Sequence, residues 1–295
     1  MDYSNNGQGS TFTSNSYTNA TREFFESNSL IARVAFLLLV LFVFLILLRL
    51  GISILGYIFE PTGSARLIDG MVDAKQLIVI PQDPKSEGSI TINRSSNANE
   101  GIEFTWSVWV YIDDLTYNSG RYRCVFYKGN DYTSDPNKSD NLGLNFPNNA
   151  PGLYIAPNTN SLVIMMNTFN VINEEIQIND IPINKWVNVI IRCKHNKLDV
   201  YINGSIIKSH HLNGVPKQNY GDVYIAPNGG FSGYISNLSY YDYALGITEI
   251  ANISKKGANT NMIGSNGLQL KKPDYLSLRW FFYGSGNAFN PTDLT

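Results

Sequence analysis

Residues Ile181 to Gly204, IPINKWVNVIIRCKHNKLDVYING, restrict the architecture more than any other stretch of this chain. Val187, Val189, Ile191 and Cys193 alternate with Asn188, Ile190 and Arg192, the period of two expected of a strand with one buried face. Lys194-His195-Asn196-Lys197 is a polar turn, after which Leu198, Val200 and Ile202 alternate with Asp199 and Tyr201. Asn203-Gly204 follows, the dipeptide that most readily takes positive φ at both central positions of a type I′ hairpin turn. Ser205 to Ser209 can return as a third strand, giving an antiparallel meander. Such a meander points away from alternating α/β architectures.

At 295 residues the chain can hold one sizeable β domain with appendages, or two small domains. Its 22 basic and 24 acidic residues leave a net charge of −2, which offers no electrostatic case for a nucleic-acid partner. Asparagine is abundant, a bias more simply ascribed to an AT-rich genome than to a low-complexity function. The two cysteines, Cys124 and Cys193, permit one bridge at most, and a domain of this size does not depend on it. Cys193 lies in phase with the buried face of its strand and is expected to be a core thiol. No C-x-x-C or Cys/His cluster suggests a metal: His195 sits in a turn, and His210-His211 would face opposite ways on a strand.

Val34 to Leu48 is an uninterrupted apolar run, extended to Phe59 with only Arg49 and a few small residues intervening. About 20 helical residues cross the hydrocarbon of a bilayer, so residues 34–59 suffice. A cleaved signal peptide fits less well, because a long polar segment precedes the run and no small-residue cleavage site closes it. A buried core helix fits poorly too, since the segment is apolar all round. We expect a single-pass anchor over residues 30–59. Arg22 and Arg33 flank one end, while Arg49, Arg66 and Lys75 lie on or beyond the other, so basic residues barely discriminate orientation. The large C-terminal part and the N-x-S/T sequons at Asn19, Asn93, Asn137, Asn203, Asn237 and Asn252 suit a lumenal or external C-terminal domain.

Residues 1–29 read as a disordered polar tail and 60–75 as a linker, with Pro61 and Gly63 stopping the helix. From residue 76 the pattern is almost wholly β. Strands are expected near 77–80, 89–93, 104–112, 123–127, 152–155, 161–166, 175–178, 187–193, 198–202, 205–209, 223–226 and 233–241. Short strands between Asn, Gly, Pro and Asp turns argue for an all-β, two-sheet antiparallel sandwich. Trp106, Val108, Val110 and Ile112 share one face of their strand, with Trp109 and Tyr111 on the other. Ala244 to Ile253 is the expected site of a helical turn or two. Residues 256–295 carry the aromatic run Tyr275–Tyr283 and are expected to pack back on the sandwich.

The ordered segments FTWSVWVYI (104–112), CVFYKG (124–129), NSLVI (160–164), WVNV (186–189), LDVYING (198–204) and GGFSGYISNLSYYDYAL (229–245) carry a resemblance. They resemble a laminin-G-like domain of the concanavalin A-like lectin/glucanase superfamily, covering roughly residues 76–255. That resemblance implies a jelly-roll sandwich after the membrane helix, and ligands that range over glycans and proteins. The N-terminal anchor, the Asn-rich chain and the RWFFYGSG ending also resemble membrane-anchored members encoded by large DNA viruses. In such a sandwich Trp186 would plug an end, Gly233 would relieve crowding or permit a bulge, and Leu245 and Ile250 would cap the core.

Glycoside hydrolases on this fold use two carboxylates, commonly as E-x-D-x-x-E, and that motif is missing here. Glu100 and Glu103 have the wrong spacing for one strand face, and Glu174-Glu175 point to opposite faces if extended. No nucleophile elbow, phosphate loop or HExxH occurs, so a non-catalytic module is expected. The long loop Gly129–Pro151 is the first candidate for binding. Asp131, Asp135 and Asp140 offer hard oxygen ligands for a rim calcium, a use the family resemblance suggests. Tyr127, Tyr132 and Tyr154, with Asn130, complete the expected ligand-binding set, since exposed aromatics stack on sugar faces. Asn219-Tyr220-Gly221-Asp222 is a second surface of similar chemistry. The expected partners are a glycan or protein ligand, the lipid bilayer, and capsid or envelope proteins should the chain be a virion membrane component.

Overall fold

The computed structural model describes residues 22, 30–59, 63–99, 101–135 and 142–263. The chain divides after Glu60 into two compact units. Within the first, α1 (Leu30–Phe59) forms because nothing from Leu30 to Phe59 breaks it: no proline intervenes, and long apolar side chains dominate. Residues Leu30–Leu55 are almost wholly exposed along a length of about 39 Å, enough to cross a bilayer core. The polar tail beyond Arg22 lies outside the described residues.

The second unit is a sandwich of two antiparallel sheets. Its strands are β1 (Ser64–Arg66), β2 (Met71–Asp73), β3 (Ile78–Ile80), β4 (Ser96–Ala98), β5 (Gly101–Asp114), β6 (Arg123–Gly129), β7 (Gly152–Ile155), β8 (Leu162–Met166), β9 (Glu174–Ile178), β10 (Trp186–Lys194), β11 (Lys197–Ile202), β12 (Ser205–His211), β13 (Asp222–Ile225) and β14 (Ser232–Tyr241). One sheet runs β1-β14-β5-β10-β11-β12, with β2 also on β14 and β4 on β5; the other runs β3-β13-β6-β7-β8-β9. A short helix, α2 (Ile247–Lys256), follows.

The expected meander is present. Ile202 pairs with Ser205 across Asn203-Gly204, whose φ values of 51° and 83° are the two positive angles a type I′ turn demands. Val187, Val189, Ile191 and Cys193 face the core beside Trp106, Val108, Val110 and Ile112, as the period of two requires. Cys193 and Cys124 are both buried free thiols. Burial pushes Cys193 up to about 12, and Cys124 well above its ordinary value. Both are therefore inert as nucleophiles at neutral pH.

Several expectations fail for identifiable reasons. Residues 63–75 do not form a loose linker: β1 and β2 pair with β14, and Leu67, Ile68, Val72 and Ala74 are core residues. Ser89–Asn93 alternates like a strand yet joins no ladder. The Gln82 amide takes its place, donating to Ile90 O at 3.0 Å and accepting from Ile92 N at 3.0 Å. Trp186 does not plug an end of the sandwich. It lies on the outer face of its sheet against Tyr111, ring centroids 5.5 Å apart. Leu245 and Ile250 cap nothing end-on; α2 lies on the outside of the same sheet, where they pack on Ile190 and Tyr201. Residues 257–263 return to β2, with Met71 N donating to Asn261 O and Ile263 N to Met71 O, both at 2.8 Å. The aromatic run 275–283 lies outside the described residues.

Candidate functional site

Among the described residues, the structure brings Tyr127, Asp131, Tyr132 and Tyr154 near one another at the Gly129–Pro151 loop, but it does not present them as a surface. Tyr127 and Tyr154 alternate onto the outer face of the β6–β7 sheet, but Leu144 folds over that face and leaves both rings fully buried. Neither offers a surface to a sugar. Tyr132 is half-buried, its hydroxyl accepting from Gly143 N at 3.3 Å. The Asn130 amide nitrogen is engaged within the loop, donating to Asp131 O at 2.7 Å and Phe146 O at 3.1 Å. Asp131 accepts a short hydrogen bond from the Tyr224 hydroxyl. Asp140 lies outside the described residues, and among the described residues no three His, Cys, Asp or Glu converge as metal ligands, Asp131 and Asp135 included.

A better-built concavity lies at the second surface, where the open end of the sandwich meets Asn219–Asp222. Its position follows from pairing. Gly221 is obligatory at the approach, since a Cβ there would lie 2.0 Å from Gly129 O. The turn before β13 is closed by Gly221 N donating to Asn219 Oδ1 at 3.1 Å, and Asn219 Nδ2 donates to Lys128 O at 3.0 Å. On the facing side, Gln82 N donates to Asp222 Oδ1 at 2.8 Å, which draws the segment after β3 across the mouth. The Gln218 amide reaches Ser95 Oγ and joins the two walls.

The resulting cavity has a volume of 360 Å³, within the range that holds small ligands. Phe104, Trp106 and Tyr240 form an aromatic floor, while Asn93, Gln218 and Asn219 bring amides to the wall. Tyr220 stands at the mouth, 81% exposed, with the Arg94 guanidinium 5.8 Å from its ring centroid. An exposed tyrosine at the mouth of a polar-walled cavity suits polar, ring-shaped ligands. The dipeptide Asn219-Tyr220 was visible in the sequence; the contribution of residues 82–95 was not, because it depends on the Gln82 clasp.

Lys128 occupies the inner wall, only 8% exposed, with Nζ donating to Gly221 O. Burial lowers its pKa from the ordinary 10.5 to about 8, partly opposed by the Asp222 carboxylate. Below pH 8 both native and unfolded chains carry the proton, and the native state bears the full cost of the buried charge. Between 8 and 10.5 the native state releases it first, so stability rises with pH in that window. Buried tyrosines act oppositely but only above pH 10, where the unfolded chain ionises first. We therefore expect the full chain in detergent micelles to gain urea resistance from about pH 7 to about pH 9.5 relative to Lys128→Met. Parallel pH profiles for the two chains would exclude this role for Lys128.

A laminin-G family model of the concanavalin A-like lectin/glucanases superfamily matches residues 84–251. No curated protein sequence matches the chain. Among solved structures, the binding domain of botulinum neurotoxin DC in complex with rat synaptotagmin II is 14% identical, covering 52% of this chain and 35% of that one, with a TM-score of 0.39. The receptor binding domain of botulinum neurotoxin D is 14% identical over 62% of this chain and 48% of that one, TM-score 0.41. The receptor binding domain of botulinum neurotoxin type G is 15% identical over 65% and 50%, TM-score 0.41. The chain thus spans half or less of each of these proteins.

Proposed function

Because the chain belongs to the laminin-G family of the concanavalin A-like lectin/glucanase superfamily, we propose that its sandwich is a non-catalytic binding module that takes a saccharide in the cavity beside Tyr220. A fold of this kind does not choose its own ligand. The observation that carries the reading is the cavity, with its aromatic floor, amide-bearing wall and exposed tyrosine at the mouth. In this reading α1 anchors the module in a membrane, with the sandwich on the lumenal or external side.

The test is a glycan array probed with the full chain in detergent micelles. Retention of a saccharide class is expected, and Tyr220→Ala should weaken it by about tenfold, roughly 1.4 kcal/mol, with unchanged stability because the ring is exposed. Retention of no saccharide would overturn the proposal.

A second reading, an assembly protein that docks other proteins to a membrane, is favoured by β12. That strand closes one edge of its sheet with Ile206 52% and Ile207 56% exposed. Exposed apolar edge strands are templates for pairing with another chain. A protein partner lost on Ile207→Lys, with no saccharide bound, would select this reading over the first.

A further inference from the structure

We propose that the saccharide taken by this cavity is an acidic one, its acid group seated on the Lys128 amine between the sheets and its ring against Tyr220. The inference rests on the binding-module reading above and deepens it.

Lys128 sits two residues beyond Phe126, on the core-facing side of β6, and closes the inner end of the cavity. An ammonium carries three donors, and among the described residues one hydrogen bond is made, to Gly221 O. The charges lining the cavity are Arg94, Lys128 and Lys217 against Asp83 and Asp222. Both acids are engaged: Asp222 Oδ1 accepts from Gln82 N at 2.8 Å, and Asp83 Oδ1 accepts from Lys85 N at 2.9 Å, closing its own turn. Those bonds come from neutral amides and leave both carboxylates charged, so the lining carries three positive charges against two negative, a net of +1.

A neutral ligand filling this space would strip remaining water from a buried cation and leave its donors unmet, which is costly. An acid group would instead complete them with charge-assisted hydrogen bonds, the desolvation of Lys128 being already borne by the fold. Arg94 and Lys217 at the rim then steer the anion inward. A carboxylate and a sulfate share this chemistry, and the experiment separates them. Because the acid requires the charged amine, binding draws the proton back onto Lys128, and affinity should fall as pH rises through about 8.

The experiment measures binding of the full chain in detergent micelles, by Trp fluorescence and calorimetry, to three probes: an oligogalacturonate, its fully methyl-esterified form, and a sulfated oligosaccharide of the same length. These follow an array of neutral, uronate-bearing and sulfated glycans. Preference for an acid form over its neutral counterpart by about tenfold or more is expected, with the uronate and sulfate arms deciding which acid. Lys128→Met should abolish the preference. Arg94→Gln, on an exposed side chain that leaves the fold intact, should weaken acid binding several-fold and flatten its salt dependence. Should Lys128→Met fail to fold, the wild-type pH series decides: affinity for the acid falls about tenfold from about pH 7 to about pH 9.5, while that for neutral sugars is unchanged. Equal binding of acid and ester, or a pH-independent affinity for the acid, overturns this inference and leaves the binding module standing. Failure to bind any glycan on the array overturns both.

Discussion

Replacing Trp106 by alanine is expected to cost about 3–5 kcal/mol of stability, a large fraction of what a domain of this kind possesses. The ring is 1% exposed and lies where the two sheets meet. It stacks on Phe126 of the opposite sheet with centroids 5.1 Å apart, and tilts against Tyr240 of β14 at 5.0 Å. Removing it empties the centre of a contact that no neighbour can refill, because Phe126 and Tyr240 are held by ladders on opposing sheets. The same ring is part of the cavity floor, so any ligand held there should be lost with it. Urea unfolding of the full chain in detergent, read by circular dichroism, measures the effect. Trp106→Phe should lie between wild type and alanine. A loss below about 1 kcal/mol for the alanine variant would show that the sheets are not joined through this side chain.

That contact was legible in the sequence because strand periodicity assigns faces. Once Val108, Val110 and Ile112 face inward, Trp106 must as well. Gly233 was equally readable: φ is +142°, a Cβ would sit 1.8 Å from Tyr111 O, and the register shifts between Ser232 and Gly233. Crowding or a bulge was anticipated there, and both occur. Other features depend on partners that local pattern cannot supply. β1 and β2 are three residues each, too short to show a period, and exist only because β14 is long enough to pair with both. Trp186 looked like an end plug because large rings usually seek cover, yet Tyr111 gives it cover on an outer face. The candidate site was half read for the same reason: Asn219–Asp222 was named as a second surface, but the wall supplied by residues 82–95 was not. Exposed tyrosines were sought along the 129–151 loop, but Tyr127 and Tyr154 lie under Leu144, and it is Tyr220 that reaches solvent.

Asparagine shows most sharply what composition hides, and Asn149 gives the second large effect. An AT-rich genome accounts for many asparagines, but Asn145, Asn149 and Asn167 are buried and build the lid over the outer face of the β6–β7 sheet. Asn149 is fully buried; its amide donates to Asn145 O at 2.9 Å and to Asn173 Oδ1 at 2.8 Å. Its carbonyl accepts the Tyr154 hydroxyl at 2.6 Å. Asn149→Leu keeps the branched shape but leaves the buried Tyr154 hydroxyl proton without an acceptor, while Asn145 O keeps its bond from the Asn173 amide and half-buried Asn173 can turn to water. A buried group left unmet costs about 1–3 kcal/mol and an ordinary hydrogen bond contributes about 1, so we expect a loss of about 2–4 kcal/mol after partial relaxation. Tyr154→Phe removes only the phenol and should cost about 1 kcal/mol. The double variant should recover part of the single loss, because the unmet phenol is no longer there. Hydrogen exchange would localise the damage: faster exchange at residues 142–151 with the β10–β11 ladder unaffected is expected. Strictly additive effects of the two substitutions would mean that Asn149 does not hold the lid through Tyr154. The exchange result also separates two roles for this loop: if it loosens and cavity binding persists, the lid is scaffold, and ligand selection rests with the opposite turn at Asn219–Asp222.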